Sequence, residues 1–257
     1  MRLLDPTRRG ALAAHLPHER PGPLVTPHVM ETGQGACFVD RWPDPRVVVG
    51  EVAGNFDLSG DPTALDVAWV AERVSGLVAA EAAFVPSLRA ALPELRVWGR
   101  VILELDEKPP VAKPAGAELR CLEAGDAWHL FGLGSDLNWI AKTLGGPVGT
   151  AASRRAWGAF VGGRLASVAV PFFIGRHYED VGVVTEAEFR GRGLSPACAG
   201  RVAGDVRARG RRVSWSTSPD NEASLRVARK LGFREHRRDS LYVVGEPIPE
   251  SARPTDP

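Results

Sequence analysis

The stretch Arg190-Gly-Arg-Gly-Leu-Ser195 decides the fold, because it separates two segments with different hydrophobic periods. The run Val181–Thr185 before it is apolar and β-branched, which predicts a short buried strand. After it, apolar residues recur every four positions, which predicts an amphipathic helix. They are Cys198, Val202 and Val206. The sequence therefore predicts a strand, a glycine loop and a helix, in that order.

The glycine loop has the composition of an anion-binding site. Gly191 and Gly193 permit backbone conformations that a Cβ would forbid, so several N–H groups can converge on one ligand. The start of the following helix adds unpaired N–H groups and a positive dipole end, and Ser195 is a candidate N-cap. Arg190 and Arg192 supply positive charge beside it. The pattern favours a diphosphate site, and an arginine-rich surface turn is the alternative.

A second recognisable motif follows this loop, within residues 213–233. Val213–Thr217 indicates another strand, Asn221-Glu-Ala-Ser224 opens another helix, and Lys230-Leu-Gly-Phe233 ends that helix. The loop resembles the pyrophosphate pattern R/Q-x-x-G-x-G/A, with Ser195 at the last position, and the second segment resembles N-x-x-A/S…K-x-G-F. Both motifs are typical of the GNAT superfamily of N-acetyltransferases. The resemblance covers about Ala117–Val244.

The resemblance implies a fold and a cosubstrate. It implies an α/β (α+β) protein whose C-terminal half has the GNAT fold with a mixed central sheet, and acetyl-CoA as cosubstrate. The residues it implies for cofactor binding are Val183, Val184, Thr185, Arg190, Gly191, Arg192, Gly193, Leu194, Ser195, Asn221 and Ser224. Asn221 as a plain N-cap stays open as an alternative. The Trp215…Asn221…Ser224 spacing also resembles a bacterial subgroup that contains antibiotic self-resistance acetyltransferases.

A catalytic base is expected on the strand before the loop. Some GNAT enzymes carry a Glu six residues before the end of this strand, and counting back from Thr185 reaches Glu179. Period-two alternation would then put Asp180 on the opposite face, unless the strand bulges near Gly182. Glu179 is the first candidate, followed by Asp180 and His177. A solvated strand end is the alternative for all three.

The usual general acid of the family is absent from its expected position. A Tyr often occupies the helix after the Asn, and the matching residue here is Ala228. Tyr178 and Tyr242 are the two tyrosines of the chain, and neither fits the pattern. This absence slightly favours the alternative function, a catalytically silent acyl-CoA-binding or regulatory module.

Proline-rich sequence divides the chain into two halves. We expect an N-terminal α+β domain over 1–108, a linker at 109–116, the GNAT domain over 117–246 and a disordered tail at 247–257. The N-terminal domain is either a degenerate GNAT-like repeat or an unrelated domain that shapes the substrate site.

Within the first half, the patterns predict particular elements. Ala36–Asp40 and Val47–Val52 predict a hairpin, and Asn55–Asp61 is expected to be a polar loop. Thr63–Ala91 is expected to form two helices separated at Pro86.

Composition limits the classes of partner. The 257 residues carry a formal net charge of +1, which gives no reason to expect nucleic-acid binding through bulk charge. No apolar run is long enough for a membrane span, and no metal-ligand spacing is present. The three cysteines are far apart and no signal peptide is evident, which fits a cytoplasmic protein. The GNAT resemblance implies transfer of an acetyl group from acetyl-CoA to a primary amine, and we expect a small molecule as the acceptor.

Overall fold

The computed structural model describes residues 1–110 and 114–248. In these residues twelve strands form one continuous sheet, with helices on its faces. The strands are β1 (Arg2–Leu3), β2 (Ala36–Val39), β3 (Val47–Val52), β4 (Asn55–Gly60), β5 (Gly76–Ala80), β6 (Arg96–Leu105), β7 (Glu118–Cys121), β8 (Trp157–Val161), β9 (Arg164–Ile174), β10 (Tyr178–Thr185), β11 (Arg212–Thr217) and β12 (Arg234–Val244). The α-helices are α1 (Arg9–Leu12), α2 (Val25–Thr32), α3 (Val67–Arg73), α4 (Val85–Ala91), α5 (Ala127–Phe131), α6 (Gly146–Ala152), α7 (Leu194–Ala208) and α8 (Glu222–Lys230).

The two halves repeat one order of elements. Each runs strand, two helices, three strands, helix, strand, helix, strand, from β1 to β6 and again from β7 to β12. In both halves the fourth and fifth strands pair in parallel, as β4 with β5 and β10 with β11, and the other pairings are antiparallel. The mixed sheet expected for the C-terminal half is confirmed, and the first half has the same topology.

The halves exchange their last strands. The sheet order is β1-β2-β3-β4-β5-β12-β6-β11-β10-β9-β8-β7, so β12 pairs with β5, and β6 pairs with β11. β6 and β12 also pair with each other along nearly their whole length. Each half therefore completes its own part of the sheet with a strand from the other half.

This exchange predicts that neither half folds alone. Residues 114–257 expressed without the first half would leave β11 and β12 without the strand between them. We expect that fragment to be insoluble or unfolded, because the unpaired edges would expose backbone and apolar surface. Coexpressed with residues 1–110, it should copurify as a folded complex, detectable by affinity capture and circular dichroism. A soluble, folded fragment 114–257 would contradict the exchange.

Two expectations for the first half are wrong. Residues 55–60 form strand β4 instead of a polar loop, and residues 76–80 form strand β5 inside the segment expected to be helical. Asn55, Asp57 and Ser59 alternate with Phe56 and Leu58, which is the pattern of a half-buried strand. The spacing of apolar residues from Val74 to Val78 is compatible with either a helix or a strand. Residues 76–80 form a strand because they pair with β4 on one edge and with β12 on the other. Pro86 lies in the first turn of α4, where proline is tolerated.

The second half packs in three layers around its part of the sheet. On one face, α7 and α8 cover a cluster that includes Val181, Val213 and Trp215. On the other face, α5 and α6 cover a cluster that includes Val168, Val170 and Val184. Because neighbouring strand residues alternate between these clusters, each face of β10 and β11 can be assigned from the sequence.

Side chains of the first half also form hydrogen bonds with the backbone of the second half. The Glu19 carboxylate accepts backbone N–H groups of Arg176, His177 and Tyr178 at 2.8, 2.8 and 2.6 Å. His28 of α2 is fully buried, and its Nδ1 accepts the Ile174 N–H at 2.9 Å. Burial lowers the pKa of His28, and a ring nitrogen that accepts an N–H carries no proton, so the ring is neutral. These contacts hold the turn between β9 and β10 in place.

The expected domain limits fall between elements of the repeat. β6 ends at Leu105 and β7 begins at Glu118, on either side of the proline-rich segment. Residues 111–113 of the expected linker and residues 249–257 of the expected tail lie outside the described residues.

Candidate active site

The parallel strands β10 and β11 separate partway along their length. They pair at Tyr178, Glu179 and Asp180, whereas β10 continues to Thr185 and stays paired only with β9. The edge of Val181–Thr185 that would face β11 therefore presents backbone groups without strand partners. Because backbone N–H and C=O groups need hydrogen-bond partners, this opening suits an extended ligand that carries amide groups.

The start of α7 lies beside this opening. Gly193 is the N-cap, with a left-handed φ of +74°, and Gly191 has a φ of +77°. Within the described part of the chain, the backbone N–H groups of residues 191–195 donate no hydrogen bond. A Cβ built on either glycine would meet nothing within 4 Å, so the space beside them is open. Unpaired N–H groups at a helix N-terminus form a site for an anion.

The helix begins earlier than the sequence suggested. Ser195 is its second residue instead of its N-cap, and its hydroxyl lies 2.7 Å from the hydroxyl of Thr185. The cap is a glycine without a side-chain acceptor, and no side chain among the described residues accepts from the first N–H groups. That leaves them available to a ligand.

A cavity of about 1220 Å³ includes both features. Ten of the eleven residues expected to bind the cofactor line it, and only Arg192 does not. The ten are Val183, Val184, Thr185, Arg190, Gly191, Gly193, Leu194, Ser195, Asn221 and Ser224. Arg192 instead places its guanidinium over the Phe189 ring, 5.6 Å from the centroid.

Asn221 and Ser224 have structural hydrogen bonds as well as a place in the cavity wall. The Asn221 side chain caps α8 by accepting the Ser224 N–H at 3.0 Å. The Ser224 hydroxyl accepts the indole N–H of Trp215 at 2.9 Å. Both residues therefore fix the position of α8 against β11, and Trp215 is a core residue with 2% exposure.

Asp180 is the buried carboxylate of the cavity. It is 5% exposed, and its Oδ1 accepts hydrogen bonds from the hydroxyls of Ser214 at 2.6 Å and Ser216 at 3.2 Å. Burial raises the pKa of Asp180 to about 6, although the two serine hydrogen bonds and the charges of Arg100 and Arg237 act to lower it. A carboxylate with this pKa can accept a proton near neutral pH and be regenerated easily.

Glu179 does not reach the cavity, which corrects its place as first candidate. It is fully buried on the face of Val181 and α7, bound to arginine side chains. Its carboxylate meets Arg209 at 2.7 Å, Arg211 at 3.0 Å and Arg155 at 3.5 Å. Alternation along β10 is regular, and the extra residue of the bulge at Asp180/Val181 lies on β9, which skips Phe172. The register was right, but the cavity borders β10 only from Asp180 to Thr185, so Glu179 lies outside it.

Glu179 is therefore expected to support stability. Glu179→Gln should lower the free energy of unfolding by about 2–4 kcal/mol, because it leaves the three arginines without their shared carboxylate. This expected loss of stability is smaller than that for breaking a fully buried ion pair, because the three arginine side chains are partly exposed to solvent. Denaturant titration of the variant and wild type measures the difference. Unchanged stability would contradict this role.

The first half has no equivalent site. β4 and β5 pair from Asn55 to Leu58, up to the last residue of β5, so they do not open as β10 and β11 do. The loop before α3 carries Asp61 and Asp66, which accept the N–H groups of Thr63 and Trp69. The first half's own carboxylates thus occupy the helix start, and an anion would be repelled there.

The first half instead forms one wall of the second half's cavity. Trp98 and Arg100 of β6 line it, as do Asn55 and Phe56 of β4. These residues were not among the predicted site residues, because only the strand exchange brings β6 beside β11. A signal was present: Trp98, Arg100 and Glu104 alternate with apolar residues at 97, 101, 103 and 105.

Other candidate groups lie away from the chemistry. Within the described ranges, no tyrosine lines the cavity, and Ala228 is fully buried in the core. Burial raises the pKa of the Cys198 thiol to about 12, which agrees with a core residue. The described residues contain no group of three or more His, Cys, Asp or Glu side chains placed to hold a metal ion. Nor do the helices of residues 1–110 and 114–248 include one long and apolar enough to cross a membrane.

Comparison with known proteins agrees with the site. The family model for the GNAT acetyltransferase domain matches residues 156–242. An uncharacterised N-acetyltransferase from the mutA 5′ region of Streptomyces virginiae is 38% identical over 205 residues, covering 76% of this chain and 86% of the relative.

Solved structures show the same fold over nearly the whole chain. A GCN5-related N-acetyltransferase-like protein from Streptococcus suis aligns with a TM-score of 0.72 at 16% identity, covering 93% of this chain and 99% of that one. A tandem GNAT protein from the clavulanic acid biosynthesis pathway aligns with a TM-score of 0.55 at 16% identity, covering 93% and 96%.

The family model and the Streptomyces virginiae relative identify the chain as an acyltransferase. The chain belongs to the GNAT acetyltransferase family, whose members use acetyl-CoA.

Proposed function

We propose that the chain transfers an acetyl group from acetyl-CoA to a primary amine of a small molecule in the cavity between β10 and β11. The observation that carries the proposal is the combination of unpaired backbone at Val181–Thr185 with unpaired N–H groups at residues 191–195. An extended pantetheine with its amides and a diphosphate match these two features in order.

In this proposal the cofactor contacts are mostly made by backbone. The N–H groups of Gly191 to Ser195 bind the pyrophosphate, with Arg190 and Arg192 adding positive charge nearby. Val183, Val184 and Thr185 pair with the pantetheine through their main chain, and Asn221 and Ser224 border it from α8. A backbone N–H of β10 near the thioester would stabilise the tetrahedral oxyanion.

Asp180 is the proposed base. An amine attacks the thioester only when it is neutral, so a group must take its proton before or during attack. Asp180 lies where β10 and β11 separate, next to the place where the acyl end of the cofactor would lie, and its raised pKa suits the task. The nitrogen forms the new amide bond, the C–S bond breaks, and the thiolate leaves as CoA after protonation. A readily leaving thiolate makes a dedicated acid dispensable.

The test is release of CoA thiol from acetyl-CoA with a panel of primary amines, with the acetylated product identified by mass spectrometry. The proposal predicts thiol release that depends on the amine and matches the amide formed mole for mole. Acetyl-CoA binding without amine-dependent turnover across the panel would instead favour a silent binding module.

A further inference from the structure

We infer that the amine acceptor also carries a carboxylate, and that Arg100 binds this group; the inference rests on the proposed function of the cavity. Successive residues of β6 lie on opposite faces of the sheet. On β6, Val101, Leu103 and Leu105 belong to the core cluster under α7 and α8, so Trp98 and Arg100 lie on the opposite face.

Asp180 lies on that same face. Its serine partners, Ser214 and Ser216, alternate with the core residues Val213 and Trp215 of β11. Both side chains line the same cavity, and the charge of Arg100 acts to lower the pKa of Asp180. The cavity thus has a proton acceptor and a guanidinium group on one wall.

Arg100 is only partly satisfied by the protein. Its side chain is 9% exposed, and its Nε donates to Asp239 at 2.7 Å. Among residues 1–110 and 114–248, Nε is the one nitrogen of this guanidinium with a hydrogen bond, and Arg100 lines the cavity. A guanidinium in so little water requires hydrogen-bond acceptors, so the free edge is a site for one.

The partners of Arg100 leave room for a carboxylate ligand. The Asp239 carboxylate is shared between two guanidinium groups, because Arg237 Nε lies 3.3 Å from its other oxygen. Asp180 takes its hydrogen bonds from Ser214 and Ser216 instead of from Arg100. A carboxylate matches the planar, two-donor edge of arginine.

The rest of this part of the cavity is aromatic. Trp98 lies two residues from Arg100 on β6, and Trp139 packs edge-on against Phe172 at 5.2 Å between ring centroids. These rings suit an apolar or aromatic body. An amine beside Asp180, a carboxylate on Arg100 and an apolar body between aromatic rings describe an acceptor that resembles an amino acid.

The test compares two ligands of nearly the same size and shape, one an anion and the other neutral. Phenylacetate and phenylacetamide are titrated into the full-length protein saturated with CoA, and calorimetry measures both affinities. We expect the acid to bind about tenfold or more tightly than the amide. Arg100→Gln should reduce that ratio to about one, and Arg100→Lys should restore part of it.

The matched control is Lys142, a second cation that lines the cavity but is solvent-exposed. Lys142→Gln should leave the ratio unchanged. Equal or undetectable binding of acid and amide by the wild type, or an unchanged ratio in Arg100→Gln, would overturn the inference; the wild-type comparison does not depend on any variant folding. Failure of CoA itself to bind refutes the proposed function instead, and is measured first.

Discussion

Replacing Asp180 by Asn should lower the turnover number by roughly 10²–10⁴-fold, the usual contribution of a general base. The affinity for acetyl-CoA should stay near wild type, because Asp180 is not among the groups proposed to bind the cofactor. Asn keeps the size of the side chain and can still accept the serine hydroxyls. The comparison therefore removes the proton acceptor without opening a void. Thiol-release kinetics and calorimetry measure the two quantities.

The pH dependence provides an independent check on the same residue. A base must be ionised, so kcat/KM of the wild type should rise with pH through the pKa of Asp180, about 6, and then level. Asp180→Asn should lose this step. An active variant with an unchanged profile would show that another group takes the proton.

Stability should change in the opposite direction from activity. The pKa of Asp180 rises from 3.8 to about 6 on folding, so the folded state favours the protonated carboxyl. The stabilisation by this carboxyl group is therefore fully present below pH 3.8 and is lost as the pH rises through about 6. The loss in the free energy of unfolding is about 3 kcal/mol. Asp180→Asn avoids that cost, so above pH 6 it should unfold no more easily than wild type. A loss of activity in this variant is therefore not explained by unfolding.

Replacing Gly193 by Asp should reduce acetyl-CoA affinity by about 100-fold or more, because a carboxylate would occupy the anion site at the start of α7. The variant should fold, since the space beside Gly193 is open and Asp both tolerates a left-handed φ and caps helices well. Calorimetry with acetyl-CoA measures the effect.

Gly193→Asn is the matched control, because it has the same shape and the same tolerance of left-handed φ without the charge. It should lose much less affinity than the Asp variant. Equal losses would mean that bulk alone blocks the site, and unchanged affinity in both would place the cofactor elsewhere.

The cofactor side of the site was predictable because it depends on local sequence. Two glycines between a β-branched run and an amphipathic helix require a strand, a loop and a helix N-terminus whatever surrounds them. Ten of the eleven residues expected there line one cavity. The N-cap of α7 could not be assigned from the sequence, since both Gly193 and Ser195 are acceptable caps. The contact between the Ser195 and Thr185 hydroxyls distinguishes them.

The acceptor side depended on long-range pairing and could not be predicted in the same way. Alternation on β10 separated Glu179 from Asp180 correctly, but it could not say which of the two carboxylates borders the cavity. Three arginines from distant segments decide that for Glu179. Arg100 enters the site only because β6 and β12 are exchanged between the halves. The alternation of apolar and polar residues along a strand does not specify which other strands it pairs with.

The most direct test of this account is a crystal structure of the protein with bound CoA. The account predicts the pantetheine between β10 and β11, the pyrophosphate on the N–H groups of Gly191 to Ser195, and the thiol within reach of Asp180 directly or through one water. A CoA molecule bound outside this opening, or one whose thiol points to the face of Glu179, would contradict it.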